Sequence, residues 1–307
     1  MSTPGTGPTP PSGPHPPGAF PPPPGWGRPQ PGLFPLRPLG AGEILGAAWQ
    51  VARRNLVVLG PVALLTSLLA SAVQLGVLAL TGSTDAYLDP TIWTDAASTG
   101  RLPDQAGGLL LALGVSSLIA FGGQVLLAGM AAPLVAQGAI GAPYAGEVGR
   151  RWTGRWGALL LLALATAMLY LAGLALFIVP GILAYLAFLA APAVMAMERA
   201  DLGTAFKRSA TLTAGHRGRI LGVVVLMALV LVGVSLALGV LIGPLVGGLG
   251  DLATQVVIDI ASAIVGAVTG AWGACVLAVL YVDLRIRKEQ LAPALQAEAS
   301  RLRFTKG

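Results

Sequence analysis

Six apolar stretches, each near the length of one membrane crossing, organise this chain: 56–80, 109–136, 157–179, 181–197, 219–244 and 256–282. A helix rises about 1.5 Å per residue and a bilayer core is about 30 Å thick, so roughly 20 apolar residues make one span. The third and fourth stretches form one run over 157–197, about 60 Å of helix if unbroken. Pro180-Gly181 sits inside that run where a re-entry turn is needed, so the run is read as a hairpin. The expected fold is all-α, a polytopic membrane bundle of about six transmembrane helices.

Composition narrows the function classes. Charged residues make up 10% of the chain and hydrophobic ones 55%, against about 25% charged in an average soluble domain. So few charges cannot solvate a water-facing surface. An ordinary cytosolic enzyme, a disulfide scaffold and a wholly disordered chain are excluded. The net charge of +6 is topological rather than a sign of nucleic-acid binding, because Lys and Arg collect on the cytoplasmic loops of membrane proteins. Abundant Ala, Gly and Arg with only Lys207, Lys288 and Lys306 as lysines resemble coding from a GC-rich bacterium. The lone Cys275 lies in an apolar run and reads as a packing residue.

The basic residues set an orientation. Of the 19 Lys and Arg, Arg101 alone falls on the side that also carries Asp85, Asp89, Asp95, Asp104 and Asp251. By the positive-inside rule the chain is expected in a bacterial plasma (inner) membrane with both termini cytoplasmic. Residues 81–106 then form the sizeable outer loop. Within it Asp89-Pro90 reads as a cap and first helical position for a short helix near 90–98. The Asp spacing in this loop fits no calcium loop, and no metal is expected.

Residues 1–36 are a Pro/Gly-rich tail with too little apolar content for a core, expected to be disordered or polyproline II. Pro21 to Pro24 followed by Trp26 offers a docking peptide for a protein partner; the plainer reading is a solvated linker. Residues 37–290 form the membrane domain, and 291–307 a short basic tail.

Amphipathic segments precede the odd spans. In 40–55, Ile44, Leu45, Ala48, Trp49 and Ala52 share one face against Glu43, Gln50, Arg53 and Arg54. In 201–215, Leu202, Ala205, Phe206, Ser209 and Leu212 oppose Asp201, Lys207, Arg208 and Thr211. The stretch 143–156 carries Arg150, Arg151 and Arg155 beside Trp152 and Trp156. These read as helices in the inner headgroup layer, apolar faces in lipid and basic faces toward anionic lipids, the expected partners.

Two stripes of small residues lie in the last two spans: Ser235, Gly239 and Gly243 in the fifth, and Ser262, Gly266, Gly270 and Ala274 in the sixth. Such stripes let backbones approach, so these spans are expected to pack along them. Pro61, Pro133, Pro192 and Pro244 should kink spans or mark their ends.

Catalytic signals are missing. Asp259 is the one acid inside a span, near its outer boundary, which leaves no proton relay and no arginine ladder. Gln74, Gln124 and Gln137 read as amides joining helices, or as a polar seam. His15 lies in the tail and His216 beside Arg217; no HExxH, cysteine cluster or Walker loop is present, and Gly247-Gly248-Leu249-Gly250 reads as a turn. No catalytic, cofactor-binding or metal residue is expected.

Certain motifs resemble a known family. Arg37-Pro38-Leu39-Gly40 with Gly42-Glu43-Ile44-Leu45 and Arg53-Arg54-Asn55 is similar to the entry helix of bacterial, especially actinobacterial, membrane proteins related to the membrane domain of glycerophosphoryl diester phosphodiesterase. Val179-Pro180-Gly181-Ile182, Ala191-Pro192, Glu198 and Ala205-Phe206-Lys207-Arg208-Ser209 are similar to its middle signature, and Tyr281-Val282-Asp283-Leu284-Arg285-Ile286-Arg287-Lys288-Glu289 to its last. The resemblance covers about 37–290, departing at Phe206, Val282 and Ala214. It implies a six-helix membrane module without known chemistry. The phosphodiesterase itself needs a separate barrel of about 250 residues, for which this chain has no room.

Locally, Asp283 and Arg287 stand four apart and offer an ion pair, worth about 0.3–0.5 kcal/mol if exposed. Glu198, Arg208, Asp283, Arg285 and Arg287 are expected to meet in one charged cluster on the cytoplasmic side. The functional reading is a non-enzymatic accessory, scaffold or lipid-interacting protein, with export of a hydrophobic or lipid-like solute as the alternative. Reporter fusions at Thr94 should register on the side opposite to fusions at either terminus. A cytosolic signal at Thr94 would reverse the topology.

Overall fold

A computed structural model describes residues 32–89, 91–140, 148–149, 152–176, 178–246, 248 and 250–289. Residues 1–31, Pro90, Arg150, Arg151, Gly247 and the tail 291–307 lie outside the described residues. The described chain contains no strand. Its helices are α1 (Ala41–Arg54), α2 (Leu56–Leu80), α3 (Thr84–Leu88), α4 (Ile92–Thr99), α5 (Ala106–Ile140), α6 (Trp156–Leu176), α7 (Ile178–Phe188), α8 (Ala191–Glu198), α9 (Leu202–Thr213), α10 (Arg217–Val246) and α11 (Asp251–Glu289).

Five helical stretches are long and apolar enough to cross a membrane: Leu56–Leu80, Ala106–Ile140, Val179–Glu198, Arg217–Val246 and Ala253–Glu289. The remaining expected span corresponds to α6, whose described apolar stretch, Trp156–Leu169, is shorter. The bundle centres on α2, α5 and α11, which pack on one another. At about 1.5 Å per residue α11 is about 58 Å long, far more than a hydrocarbon core, so its last turns project beyond the apolar layer. Those turns carry Asp283, Arg285, Arg287, Lys288 and Glu289 and define the charged end of the molecule.

α1 forms where the 3.6-residue period predicts it. Gly40 is extended at its start, and the Glu43 carboxylate accepts the Gly40 N–H at 2.7 Å and pairs with Arg37 at 2.6 Å. These contacts, the Gly40 bond first, hold the Glu43 carboxyl below the usual range. Asn55 ends the helix, its side chain donating to the Val51 carbonyl at 2.8 Å. α9 is capped likewise by Asp201, which accepts from Gly203 and Thr204 N–H groups.

The apolar faces of both amphipathic helices correct the expectation of lipid contact. Ile44, Ala48, Val51 and Ala52 of α1 are buried against protein, chiefly α11, and Ala205, Ser209 and Leu212 of α9 are buried against α7, α8 and α11. An apolar stripe records only that water is avoided; here neighbouring helices, not acyl chains, cover it. Leu45 and Trp49, at the edge of the α1 face, stay partly exposed. The ordered chain also begins earlier than expected. Leu33 donates its N–H to the Gly138 carbonyl at 2.8 Å, and Phe34 and Leu36 are buried, so 32–36 straps onto α5 rather than joining the tail.

The central hairpin is present, with Gly173 and Gly181 brought together across it. α6 ends at Leu176 and α7 starts at Ile178, so Pro180 lies in the first turn of α7, where its missing N–H costs nothing. Gly181 serves packing instead of turning: a Cβ on Gly173 would fall 2.7 Å from the Gly181 Cα. In the outer loop the short helix begins at Ile92, and Asp89 accepts from the Thr91 N–H at 2.9 Å. Pro61, Pro133 and Pro244 lie inside α2, α5 and α10, and Pro192 lies in the first turn of α8.

The small-residue stripes also find other partners than expected. Gly266 of α11 faces Ser67, and Gly270 faces Ala63, Gln124 and Leu127, so that stripe packs on α2 and α5. Ala274 is fully buried. Ser235, Gly239 and Gly243 of α10 are exposed, and a Cβ at either glycine would meet nothing within 4 Å. Small residues make a close approach possible without selecting the partner, and α2 and α5 already fill the inner face of α11. Gly173→Ala should therefore destabilise the protein by about 1–3 kcal/mol through overpacking, while Gly239→Ala should be nearly neutral. Thermal unfolding of both variants in mild detergent checks the contrast.

Candidate functional site

Two hydrogen-bonded networks flank the end of α11. Helical residues two apart point about 200° away from each other, so Asp283 and Arg287 take one face and Tyr281, Arg285 and Glu289 the other. The single expected cluster is therefore two, one on each side of the helix.

The first network is built around Asp283, whose side chain is 0% exposed. Its Oδ1 accepts the Leu39 N–H at 2.8 Å, and its Oδ2 accepts from Arg219 at 3.0 Å and from Arg287 at 2.9 Å. Both guanidiniums also donate to the Leu39 carbonyl, Arg287 at 3.1 Å. The strap before α1, the first turn of α10 and the end of α11 are thus held by one carboxylate. Burial corrects the expectation of a weak exposed pair at Asp283. A buried carboxylate costs several kcal/mol unless its lone pairs are satisfied, and here three donors reach it. Arg219 was not among the residues singled out; its partner lies 64 positions away, beyond any local pattern.

The second network joins α8, α9 and α11. Arg208 donates to Glu198 at 3.0 Å and to Glu289, and Arg285 donates to Glu289 at 2.8 Å. Tyr281 donates its hydroxyl to Glu198 at 3.1 Å and accepts from Arg285 at 3.2 Å. Lys288 reaches the Thr211 carbonyl at 2.5 Å. Of the expected cluster, Glu198, Arg208 and Arg285 meet here, while Asp283 and Arg287 belong to the first network. The i, i+4 run Tyr281–Arg285–Glu289 was the available signal for the members that were missed.

Away from the charged end, α10 and α11 separate. The space between them is a cleft of about 430 Å³, lined by Leu231, Val234, Leu238 and Ile242 with Ser235, Gly239 and Gly243 on one side, and by Ile258, Ser262, Val265, Gly266 and Thr269 on the other. Of the α11 stripe only Ser262 and Gly266 border this gap, opposite Ser235, Gly239 and Gly243. Leu231, Gly266 and Thr269 are shared with a neighbouring cavity of about 290 Å³ that reaches Thr66, Ser67, Gln124 and Tyr185. Gln124 and Tyr185 also line a third, smaller space beside Phe121, Thr166 and Phe188.

Polar chemistry in these cavities is sparse. The Thr66 and Thr269 hydroxyls donate to carbonyls of their own helices. The Gln124 amide faces Gly270 and Gly273 and makes no hydrogen bond among the described residues. None of these linings contains His, Cys, Asp or Glu. Among the described residues no group of three such side chains could hold a metal ion. Asp259 instead takes a hydrogen bond from Gln255 at 2.9 Å, and Gln255 also reaches the Tyr87 hydroxyl at 3.4 Å. Cys275 is buried.

No protein family, no curated protein and no solved structure matches this chain.

Asp283→Ala should cost about 3–5 kcal/mol, because it strands two guanidiniums around a buried void. Glu198→Ala, partly exposed in the second network, should cost less. Thermal shifts of the two variants in detergent should rank in that order, and equal shifts would deny Asp283 its central place.

Proposed function

We propose that this chain is a non-enzymatic integral protein of a bacterial inner membrane, both termini cytoplasmic, that holds a lipid or lipid-like amphiphile between α10 and α11. The cleft carries this reading. Protein interiors pack to about crystal density, with few voids larger than a water molecule. α10 instead leaves about 430 Å³ beside α11, within the roughly 300–1,000 Å³ range of small-ligand pockets. The lining is aliphatic with small residues between, which suits a flexible hydrocarbon chain.

The charge asymmetry of the loops supports the orientation. Kinship with the phosphodiesterase membrane-domain family is likewise proposed, from the three motifs. Their residues have structural work here: Leu39 and Arg287 bind around Asp283, and Glu198, Arg208 and Arg285 tie α8 and α9 to α11. A role in binding rather than catalysis accords with those positions.

The runner-up is movement of the amphiphile across the bilayer. It draws on Gln124, an amide without a hydrogen bond among the described residues, which borders the 290 Å³ cavity on one side and the smaller space on the other.

The test is lipid retention. Wild-type protein purified in mild detergent should keep about one lipid per chain, and Gly239→Phe, which fills the cleft from an open position, should lose most of it. Lipid-free wild type would overturn the reading. If movement is the role, Gln124→Leu in proteoliposomes should abolish leaflet exchange of a labelled lipid while retention persists.

A further inference from the structure

We infer that the occupant of the cleft is an anionic glycerophospholipid, its phosphate held by Arg53 and the Trp49 indole N–H, with one acyl chain in a groove leading into the cleft. This rests on the lipid-holding reading above and adds the headgroup class and the residues that select it.

A second groove, of about 450 Å³, runs where α1, α10 and α11 meet, with Leu45, Trp49, Val230, Ile264 and Trp272 in its lining. It shares Val234, Val265 and Thr269 with the cleft, so one apolar path leads from α1 to the space between α10 and α11. At the α1 end the path meets polar groups. Positions 45, 49 and 53 are successive turns of one helix face, Arg53 about 40° around from Trp49.

Among the described residues neither group has a protein partner. Trp152 and Trp272 donate their indole N–H groups to the carbonyls of Gly129 and Leu45, at 3.3 Å and 3.1 Å. Trp49 is 46% exposed, and its N–H has no acceptor among the described residues. Arg53 is exposed and makes no ion pair among the described residues. The acid of α1, Glu43, is committed to Arg37 and Gly40. An arginine one helical turn beyond Trp49, which itself lines the apolar groove, gives that end of the groove a cation and an indole N–H, a pairing that fits a phosphodiester joined to an acyl chain. Tryptophan prefers the headgroup level, and arginine forms charge-assisted bonds with phosphate oxygens. A headgroup bearing its own ammonium would offset the attraction to Arg53, so the match is to a net-negative lipid.

α1 supplies its own control. Arg54 carries the same charge but lies about 140° around the helix from Trp49, away from the groove. General attraction to an anionic surface treats the two arginines alike; a built site does not.

The experiment titrates full-length protein in mild detergent with phosphatidylglycerol and with phosphatidylcholine of identical acyl chains, counting bound lipids by native mass spectrometry. Wild type should prefer phosphatidylglycerol by about tenfold, the worth of one charge-assisted bond. Arg53→Gln should abolish that preference, Arg53→Lys should restore part of it, and Arg54→Gln should leave it within about twofold. Equal losses in Arg53→Gln and Arg54→Gln, or no preference in wild type, would overturn the headgroup assignment while leaving a lipid in the cleft. Binding of neither lipid, or a second copy of the chain excluding both, would overturn the cleft reading itself.

Discussion

A carboxylate removed from water must find its solvation in the chain, and at Asp283 three separate segments supply it. The strap before α1 gives a backbone N–H, α10 gives Arg219 and α11 gives Arg287. None of these donors is strong alone at a surface. Their value comes from burial, which raises the cost of leaving any lone pair unmet. Segments far apart in sequence are thereby held at one end of the bundle, and the apolar contact of α1 with α11 adds to the anchor. Lipid tails are as apolar as leucine, so the hydrophobic effect gives no drive for helices to associate inside a bilayer, and polar anchors at the ends take over part of that task.

This anchoring explains how α10 can lean away from its neighbour. Ile220 and Val223 are buried near its first turns, and Arg219 fixes the start. Farther along, Val232, Leu236, Val240 and Leu241 are exposed. A helix held firmly at one end and loosely along its length can border a cavity without dissolving the fold. The second network does the corresponding work for α8 and α9, which lie against the opposite face of the same α11 segment.

Much of this was readable from residues alone. The spans followed from apolar length, and α1 and α9 from 3.6-residue periodicity. The partners of those faces did not follow: Ile44 and Ala48 would show the same spacing against acyl chains as against α11. The local pair Asp283–Arg287 was visible because a helix brings i and i+4 together. Arg219 and the Leu39 backbone were not, since only the fold joins them to it. The stripe of Gly266 and Gly270 announced a close approach and left its partner open, and Ala63 and Ser67 of α2 took the place assigned to Gly239. Pro180 misled for a related reason. It can open a helix as readily as occupy a turn, and here it lies in the first turn of α7.

The Leu39–Asp283 hydrogen bond spans 244 positions. During synthesis at about 5–20 residues per second, the amino-terminal strap therefore waits tens of seconds for its acceptor. Until α11 emerges, Leu39 keeps its N–H hydrated and α1 lacks the surface that later covers Ile44 and Ala48. A segment made early is thus completed by one made much later, and this part of the fold closes as a ring. A ribosome that stops short of Asp283 leaves that ring open, with no α11 end to meet the strap and cover the apolar face of α1.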